Sequence, residues 1–198
     1  MATQEERRAG TRAALVEAAL DCLVDRGVAG TTTAAVCARA GVSSGALFNH
    51  FPSKAALLGV AAERVLAAAT TDYVTRFTEG AATSDDVVGD AVRLLWQIHA
   101  EPRLSAVLEL FVAARTDAEL AAALQAVNEP HTARVLAVAR ELLPAYAGHP
   151  AFEAMFDLVI SAVVGVALGL YADAQRKDRV ETLVAVVRSQ LDSPAPPH

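Results

Sequence analysis

The sequence predicts an all-α protein of about nine helices, and three observations support this. Hydrophobic residues make up 54% and charged residues 20% of the 198 residues, which is enough for a packed core and argues against disorder. Alanine is abundant and β-branched runs bounded by turns are scarce, so intrinsic propensity favours helices. Apolar residues also recur at helical spacing along most of the chain.

The first helix is predicted from Thr11 to Arg26, after a polar arm from Met1 to Gly10. Apolar residues at helical spacing give it one buried stripe, and Gly27 ends it. The stripe consists of Ala14, Leu15, Ala18, Ala19, Cys22 and Leu23.

The stretch from Thr31 to Lys54 reads as two short helices joined by a tight turn. Thr31 or Thr32 caps the first helix, because a side-chain oxygen can accept hydrogen bonds from free backbone N–H groups. Gly41 ends that helix by adopting a left-handed backbone.

The second short helix is predicted from Gly45 to Phe51, capped by Ser43 or Ser44. Pro52 ends it by disfavouring helix at the preceding residue. Ser53 is predicted to cap the next helix, which starts at Lys54. A helix, a turn of three or four residues and a second helix form the helix-turn-helix pattern, whose second helix enters the DNA major groove.

Six further helices are predicted in the rest of the chain. Pro130 falls inside one of them and is expected to kink or split it. Their predicted ranges are 54–77, 85–100, 102–115, 117–143, 152–171 and 177–191.

The run from Leu158 to Tyr171 is apolar on all sides. It is 14 residues long, whereas a membrane span needs about 20, so no membrane partner is expected. A helix without a polar face is instead expected to be covered by protein on nearly every side.

The net charge of −6 is unevenly distributed. Residues 1–54 carry six basic and five acidic side chains, a net charge of +1, so the remainder carries −7. This thin basic footprint means that uncharged donors and backbone N–H groups are expected to share any phosphate contacts. Arg7, Arg8 and Arg12 either reach the DNA backbone or minor groove or belong to a solvated tail.

Cys22 and Cys37 are the only cysteines. Free cysteine is commonly buried, so packing is the expected role, and a redox sensor is the alternative. The polar N-terminus resembles no secretory signal, which indicates the cytoplasm. The histidines lack metal-ligand spacing, so neither a bound metal nor a cofactor is expected. No nucleophile–base–acid set is found either, so enzymatic activity is not expected, although a helical enzyme remains an alternative.

The region between Thr11 and Leu58 resembles the N-terminal signature of TetR-type transcriptional regulators. The positions in register are Gly27, Thr31, Gly41, Val42, Ser43, Gly45, Leu47, His50, Phe51, Ser53, Lys54, Ala55, Ala56 and Leu57. The resemblance implies a homodimeric DNA-binding repressor with a helical effector domain.

The resemblance also implies a set of DNA-binding residues, and the cap Ser43 is one of them. Asn49 has the donor and acceptor needed to read adenine, and Lys54 at a helix N-terminus suits an anion. Two positions depart from the family's usual residues. Phe48 stands where the family usually has tyrosine, and it is expected to contact a thymine methyl or to pack inward. Ala34 stands where many members have a polar or basic residue. Ser44, Gly45 and Ala46 match positions near base edges, and Thr33, Phe48, Asn49, His50 and Lys54 match positions near phosphates.

The resemblance implies an effector pocket that mixes aromatic and polar groups, although the same residues suit an ordinary core. Its candidates are Trp96, His99, Glu109, Phe111, Arg115, Met155 and Phe156. The last two helices are predicted to pair with their symmetry mates in a four-helix bundle. The predicted interface residues are Ser161, Gly165, Ala167, Gly169, Val180, Leu183, Val184 and Val187.

These observations predict three segments. Residues 1–54 form the helix-turn-helix domain, residues 55–192 the effector-binding and dimerisation domain, and residues 193–198 a disordered tail. The expected protein is a repressor released from a pseudo-palindromic operator by a small apolar or aromatic ligand. The helix beginning at Lys54 is expected to link the two domains.

Overall fold

The computed structural model describes residues 3–81, 84–169 and 179–191, and within these ranges the regular structure is entirely helical. The all-α prediction is confirmed. The elements are α1 (Gln4–Gly30), α2 (Thr33–Ala40), α3 (Ser44–His50), α4 (Lys54–Ala81), α5 (Val87–His99), α6 (Pro102–Ala113), a 3₁₀ turn (Ala114–Thr116), α7 (Ala118–Leu142), α8 (Phe152–Gly169) and α9 (Arg179–Leu191).

The start of α1 differs from the sequence prediction, because residues 4–10 are helical rather than an extended arm. Thr3 Oγ1 accepts a hydrogen bond from the Glu6 N–H at 3.1 Å, and Glu6 Oε2 accepts one from the Thr3 N–H at 2.6 Å. This reciprocal capping box satisfies two backbone donors at the helix start. Gly27 breaks the helical backbone as predicted, with φ 64°, inside the span of α1.

Of the two outcomes expected at Pro130, a kink or a split, the split is absent, because α7 continues through this residue. Proline removes one backbone donor, and a helix of 25 residues retains the other hydrogen bonds on both sides of it. The helix α4 also extends past its predicted end at Phe77 to Ala81. The predicted ends at Tyr171 and Lys177, and the tail 193–198, lie outside the described residues.

The chain divides into two compact units. Unit 1 comprises residues 1–67 and 102–130, and unit 2 comprises residues 68–101 and 131–198, within the described ranges. This division differs from the predicted boundary at residue 54, because α6 packs against α1 and so joins the first unit.

The core of unit 1 is built around α1, with α2, α3 and α6 packed against it. Gly59 of α4 lies close to α7, since an added Cβ would sit 3.2 Å from the Ala123 Cβ. The largest fully buried side chains of this unit are Leu15, Leu20, Leu23, Val36, Leu47, Leu57, Leu58, Val107, Leu110 and Leu124.

In unit 2, α5, α8 and α9 pack against one another. The prediction that α8 is covered on nearly every side is wrong for the protomer, because only Phe152, Val163 and Ala167 of this helix are buried. Among the described residues, α5 and α9 pack against α8 and leave part of its surface exposed. By length and composition α8 is also apolar enough to cross a membrane, a property that helices of soluble proteins share.

Candidate nucleic-acid interface and effector region

The caps and turn of the helix-turn-helix form as the sequence predicts. Thr32 Oγ1 accepts a hydrogen bond from the Ala35 N–H at 3.1 Å and so caps α2. Gly41 ends α2 in the left-handed conformation, with φ 68° and ψ 31°. Ser43 Oγ then accepts from the Ala46 N–H at 3.2 Å and caps α3.

The orientation of α3 is fixed by its buried residues. Leu47 is fully buried and Phe51, directly after the helix, is 2% exposed, so this side of α3 faces the core. Phe48 is 50% exposed, and the alternative that it packs inward is therefore wrong. Ser44, Gly45 and Asn49 are also exposed, whereas Ala46 and His50 are half-buried.

Lys54 lies at the first position of α4, where backbone N–H groups are available to an anion. Ser53 Oγ accepts from the Ala56 N–H at 3.1 Å, which caps α4 as predicted. Thr33 opens α2 and is half-buried, and Ala34 beside it is exposed.

Other basic residues of unit 1 are exposed or engaged with partners. Arg7 and Arg8 lie exposed on the first turns of α1. The Arg12 guanidinium lies 5.0 Å from the centroid of the Phe51 ring, a cation–π contact. Arg39 Nη2 donates to Asp25 Oδ2 at 2.5 Å, and this hydrogen bond raises the pKa of Arg39.

Comparisons with known proteins agree with this geometry. The family model for bacterial regulatory proteins of the tetR family matches residues 15–61. An uncharacterised HTH-type transcriptional regulator of Mycobacterium tuberculosis is 32% identical over 164 residues, which are 83% of this chain and 82% of the relative. The chain belongs to the TetR family. Because this is a family of transcriptional regulators, the chain is a DNA-binding regulator and the enzyme alternative is set aside.

Three further comparisons extend this result. The HTH-type transcriptional regulator CymR of Pseudomonas putida is 34% identical over 127 residues, covering 64% of this chain and 62% of CymR. Among solved structures, the multidrug-binding protein EbrR in complex with imidazole has a TM-score of 0.67 at 20% identity, covering 93% of this chain and 96% of EbrR. EbrR in complex with ethidium has a TM-score of 0.64 at 22% identity, covering 91% of this chain and 97% of EbrR. At such identities the structures show a shared TetR-type fold.

The predicted effector residues fall in both units. Glu109 and Phe111 lie on α6 and Arg115 in the 3₁₀ turn, all in unit 1. Glu109 is near the break in α1, since a Cβ at Gly27 would lie 3.5 Å from its Oε2. Unit 2 holds the other four, which are half-buried on two helices packed side by side, Trp96 and His99 on α5 and Met155 and Phe156 on α8.

A second histidine, His131, accompanies His99 in unit 2, although the two are far apart in the sequence. His99 Nδ1 lies 2.8 Å from the Leu95 carbonyl oxygen, and burial lowers the pKa of His99. The neutral ring therefore donates from Nδ1 to that carbonyl. Burial also lowers the pKa of His131 on α7, with further lowering by the charges of Arg134 and His99. Only the fold brings these histidines near each other.

The predicted interface residues on α8 and α9 do not share one orientation. Ser161 and Gly165 are exposed, and Gly169 and Leu183 are half-buried. The prediction is wrong for the other four residues, because they pack in the protomer's own core and are not available to a partner. These are Ala167, Val180, Val184 and Val187, which are 2–6% exposed.

An ion-pair cluster holds α9 against α5, and the sequence did not reveal it. Arg93 donates from Nε to Glu181 Oε1 at 2.7 Å and from Nη2 to Oε2 at 2.8 Å. Its Nη1 donates to Asp86 Oδ2 at 2.9 Å, and Arg188 of α9 also donates to Asp86. The hydrogen bond from Arg93 lowers the pKa of Glu181. One guanidinium therefore joins both helices.

Cys22 and Cys37 are free thiols, both buried in unit 1. This burial agrees with a packing role. A redox sensor needs a solvent-accessible thiolate, and neither sulfur lies at the surface.

Proposed function

We propose that the chain is a homodimeric repressor that a small apolar or aromatic ligand releases from a pseudo-palindromic operator. The exposed face of α3 carries this proposal: Leu47 anchors the helix in the core, and Phe48 and Asn49 project to solvent. We assign DNA binding to residues 1–54 and effector binding and dimerisation to residues 55–192. Such a protein acts in the cytoplasm.

The two α3 helices of a dimer would enter successive major grooves. Half-sites about 34–36 Å apart, one turn of DNA, are then expected. Lys54 contributes charge to a phosphate contact at the start of α4, and Thr33 and the backbone N–H groups of capped helix ends add uncharged donors. Because residues 1–54 carry a net charge of only +1, general attraction to phosphates is weak, and base contacts are expected to supply a large share of the affinity for the operator.

An exposed stripe on α8 supports the dimer. Ala154, Leu158, Ser161 and Gly165 are all exposed and follow each other at spacings of four, three and four residues, so they lie on one side of the helix. Leu158 is 57% exposed, and Val186 on α9 is 48% exposed. Large apolar side chains on a surface of otherwise small residues suit a close helix–helix interface. A two-fold axis would bring this stripe against its copy.

The effector would bind beside α5 and α8. Trp96, Met155 and Phe156 offer apolar contacts, and His99 supplies a polar group at a half-buried position. This composition suits an apolar or aromatic ligand with one or two polar groups. EbrR, which shares the fold, is known in complex with ethidium. Glu109, Phe111 and Arg115 remain candidates from the family resemblance.

The helix α4 offers a route from ligand to DNA. It begins beside α3 at Lys54, and its later residues, from 68 to 81, belong to unit 2. A ligand releases DNA only as far as it prefers the releasing state, and a shift from 1:99 to 99:1 needs about 5.5 kcal/mol of differential affinity. Operator DNA must weaken ligand binding by the same factor.

Titration of aromatic compounds that do not intercalate into DNA against the protein–DNA complexes tests this switch. Trp96 is the only tryptophan, so its fluorescence reports ligand binding directly. We expect a releasing compound to act equally on the wild type and on Val112→Ala, a change at an exposed residue outside the proposed site, but less on Trp96→Ala. Identical release curves would remove Trp96 from the site. A ligand affinity that operator DNA leaves unchanged would eliminate the switch.

A further inference from the structure

The recognition helix α3 carries no Arg, Lys, Asp or Glu among its seven residues. Bidentate contacts from Arg or Lys are the commonest means of reading guanine, and acidic side chains accept from cytosine. The nearest basic side chain on α2, Arg39, is hydrogen-bonded to Asp25. The exposed face of α3 therefore lacks the usual groups for reading G·C pairs.

Phe48 is the large apolar group on this face. It is 50% exposed, whereas Leu47 and Phe51 are buried and hold α3 in the core. The apolar group that the major groove offers to a ring is the C5 methyl of thymine. A contact between them removes both from water.

The neighbouring positions suit the same base pairs. Asn49 is exposed and carries the amide that can bond to adenine N6 and N7 together. Gly45, one turn earlier, is not required by packing, because an added Cβ would meet only Ser43 Oγ at 3.9 Å. Its missing side chain lets α3 approach the base edges closely.

We propose that α3 selects A·T pairs in each half-site, with Phe48 contacting a thymine methyl and Asn49 bonding to an adenine. This inference rests on the proposed binding to an operator. It makes Phe48 a residue that determines sequence preference, and it predicts A·T pairs at the positions that Phe48 and Asn49 contact in each half-site.

The test begins with selection of binding sites for the full chain from random duplexes. Each thymine of the selected site is then replaced by deoxyuridine, which lacks only the methyl group. We expect one symmetric position at which this change weakens binding about fourfold per half-site, the effect of one buried methyl group. Cytosine at that position should bind more weakly than 5-methylcytosine, because the latter restores the methyl group.

The protein variants connect this effect to Phe48. Phe48→Ala should bind the thymine and deoxyuridine duplexes equally, whereas Val112→Ala should discriminate like the wild type. Phe48→Leu serves as a second variant that keeps an apolar group and some discrimination, and melting temperatures verify that each variant folds.

Three results would overturn the inference: half-sites read mainly at G·C pairs, a wild type indifferent to deoxyuridine at every position, or a Phe48→Ala variant as sensitive as the wild type. Selection of a site together with any of these would leave the proposed DNA-binding function intact. Failure to select any sequence would refute that function as well.

Discussion

The Arg103 guanidinium on α6 bonds to the Glu17 carboxylate on α1, with Nη2 2.9 Å from Oε2. The same nitrogen lies 3.1 Å from Oδ1 of Asp21, one turn further along α1. Glu17 Oε1 is also 3.0 Å from Arg64 Nη2 of α4. Two carboxylates four residues apart repel each other, and Arg103 offsets that repulsion while joining α6 to α1.

Replacing Arg103 with Met should therefore lower the free energy of unfolding by at most about 1 kcal/mol, because solvent screens this half-exposed group. Arg140→Met is a matched control, since Arg140 pairs with Glu153 alone among the described contacts. We expect the smaller loss for the control in urea unfolding at low salt, and a smaller difference between the variants in 1 M NaCl. Equal losses at both salt concentrations would contradict this account.

Gly41→Ala tests the turn of the helix-turn-helix. The left-handed backbone of Gly41 is strained for any residue with a Cβ, so we expect a loss of about 1–2 kcal/mol in unfolding free energy. Gly10→Ala is the control, because Gly10 lies within α1 with open space around it. That change should stabilise by about 0.5–1 kcal/mol. If both substitutions changed the free energy of unfolding in the same direction, a left-handed backbone at Gly41 would be contradicted.

Gly165→Trp tests the dimer. An added Cβ at Gly165 meets no described residue within 4 Å, so the ring is expected to obstruct a second copy. Gly148→Trp is the control, since it is equally open and lies in the turn before α8. Sedimentation should give a dimer for the wild type and control, and a monomer or a weaker dimer for Gly165→Trp. A wild-type dimer constant for Gly165→Trp would exclude this side of α8 from the interface.

His99 should make stability depend on pH. Its pKa is lowered in the folded state, so the unfolded chain binds the proton first as pH falls below about 6.5. The stability that comes from the neutral ring is therefore present above that pH and is lost as the pH falls below it. For one proton, the slope of the unfolding free energy against pH approaches ~1.4 kcal/mol per pH unit. His99→Asn, which cannot become charged, should flatten the slope between pH 7 and 5. Unchanged slopes in urea unfolding would reject this role.

Lys54→Ala should weaken binding to all DNA sequences by a similar factor, because a phosphate contact carries no sequence information. The slope of log affinity against log salt concentration should fall by ~1. Arg140→Met, outside the proposed interface, should leave the slope unchanged. A variant that alters sequence preference instead would place Lys54 at a base edge.

Local chemistry explains which parts of this structure were predictable. The caps at Ser43 and Ser53 and the left-handed Gly41 depend on near neighbours in sequence, and they were predicted. The capping box of Thr3 and Glu6 is equally local but was missed because the polar segment resembled an arm.

Long-range packing was not predictable in the same way. An apolar pattern does not distinguish side chains that pack in the protomer's own core from those that contact a partner. The sequence therefore places buried Val184, but not exposed Val186, in the predicted dimer interface. The pair of Arg93 with Glu181 joins residues 88 positions apart, and only the packing of α5 on α9 brings them together.

The most direct test of the account is the affinity of the full chain for a selected operator and for a shuffled duplex of the same composition, measured at physiological salt. Sequence-specific regulators bind their sites about 10³-fold or more tightly than other DNA, and we predict a preference of this size. Equal affinity for the two duplexes would contradict the assignment of α3 as a recognition helix.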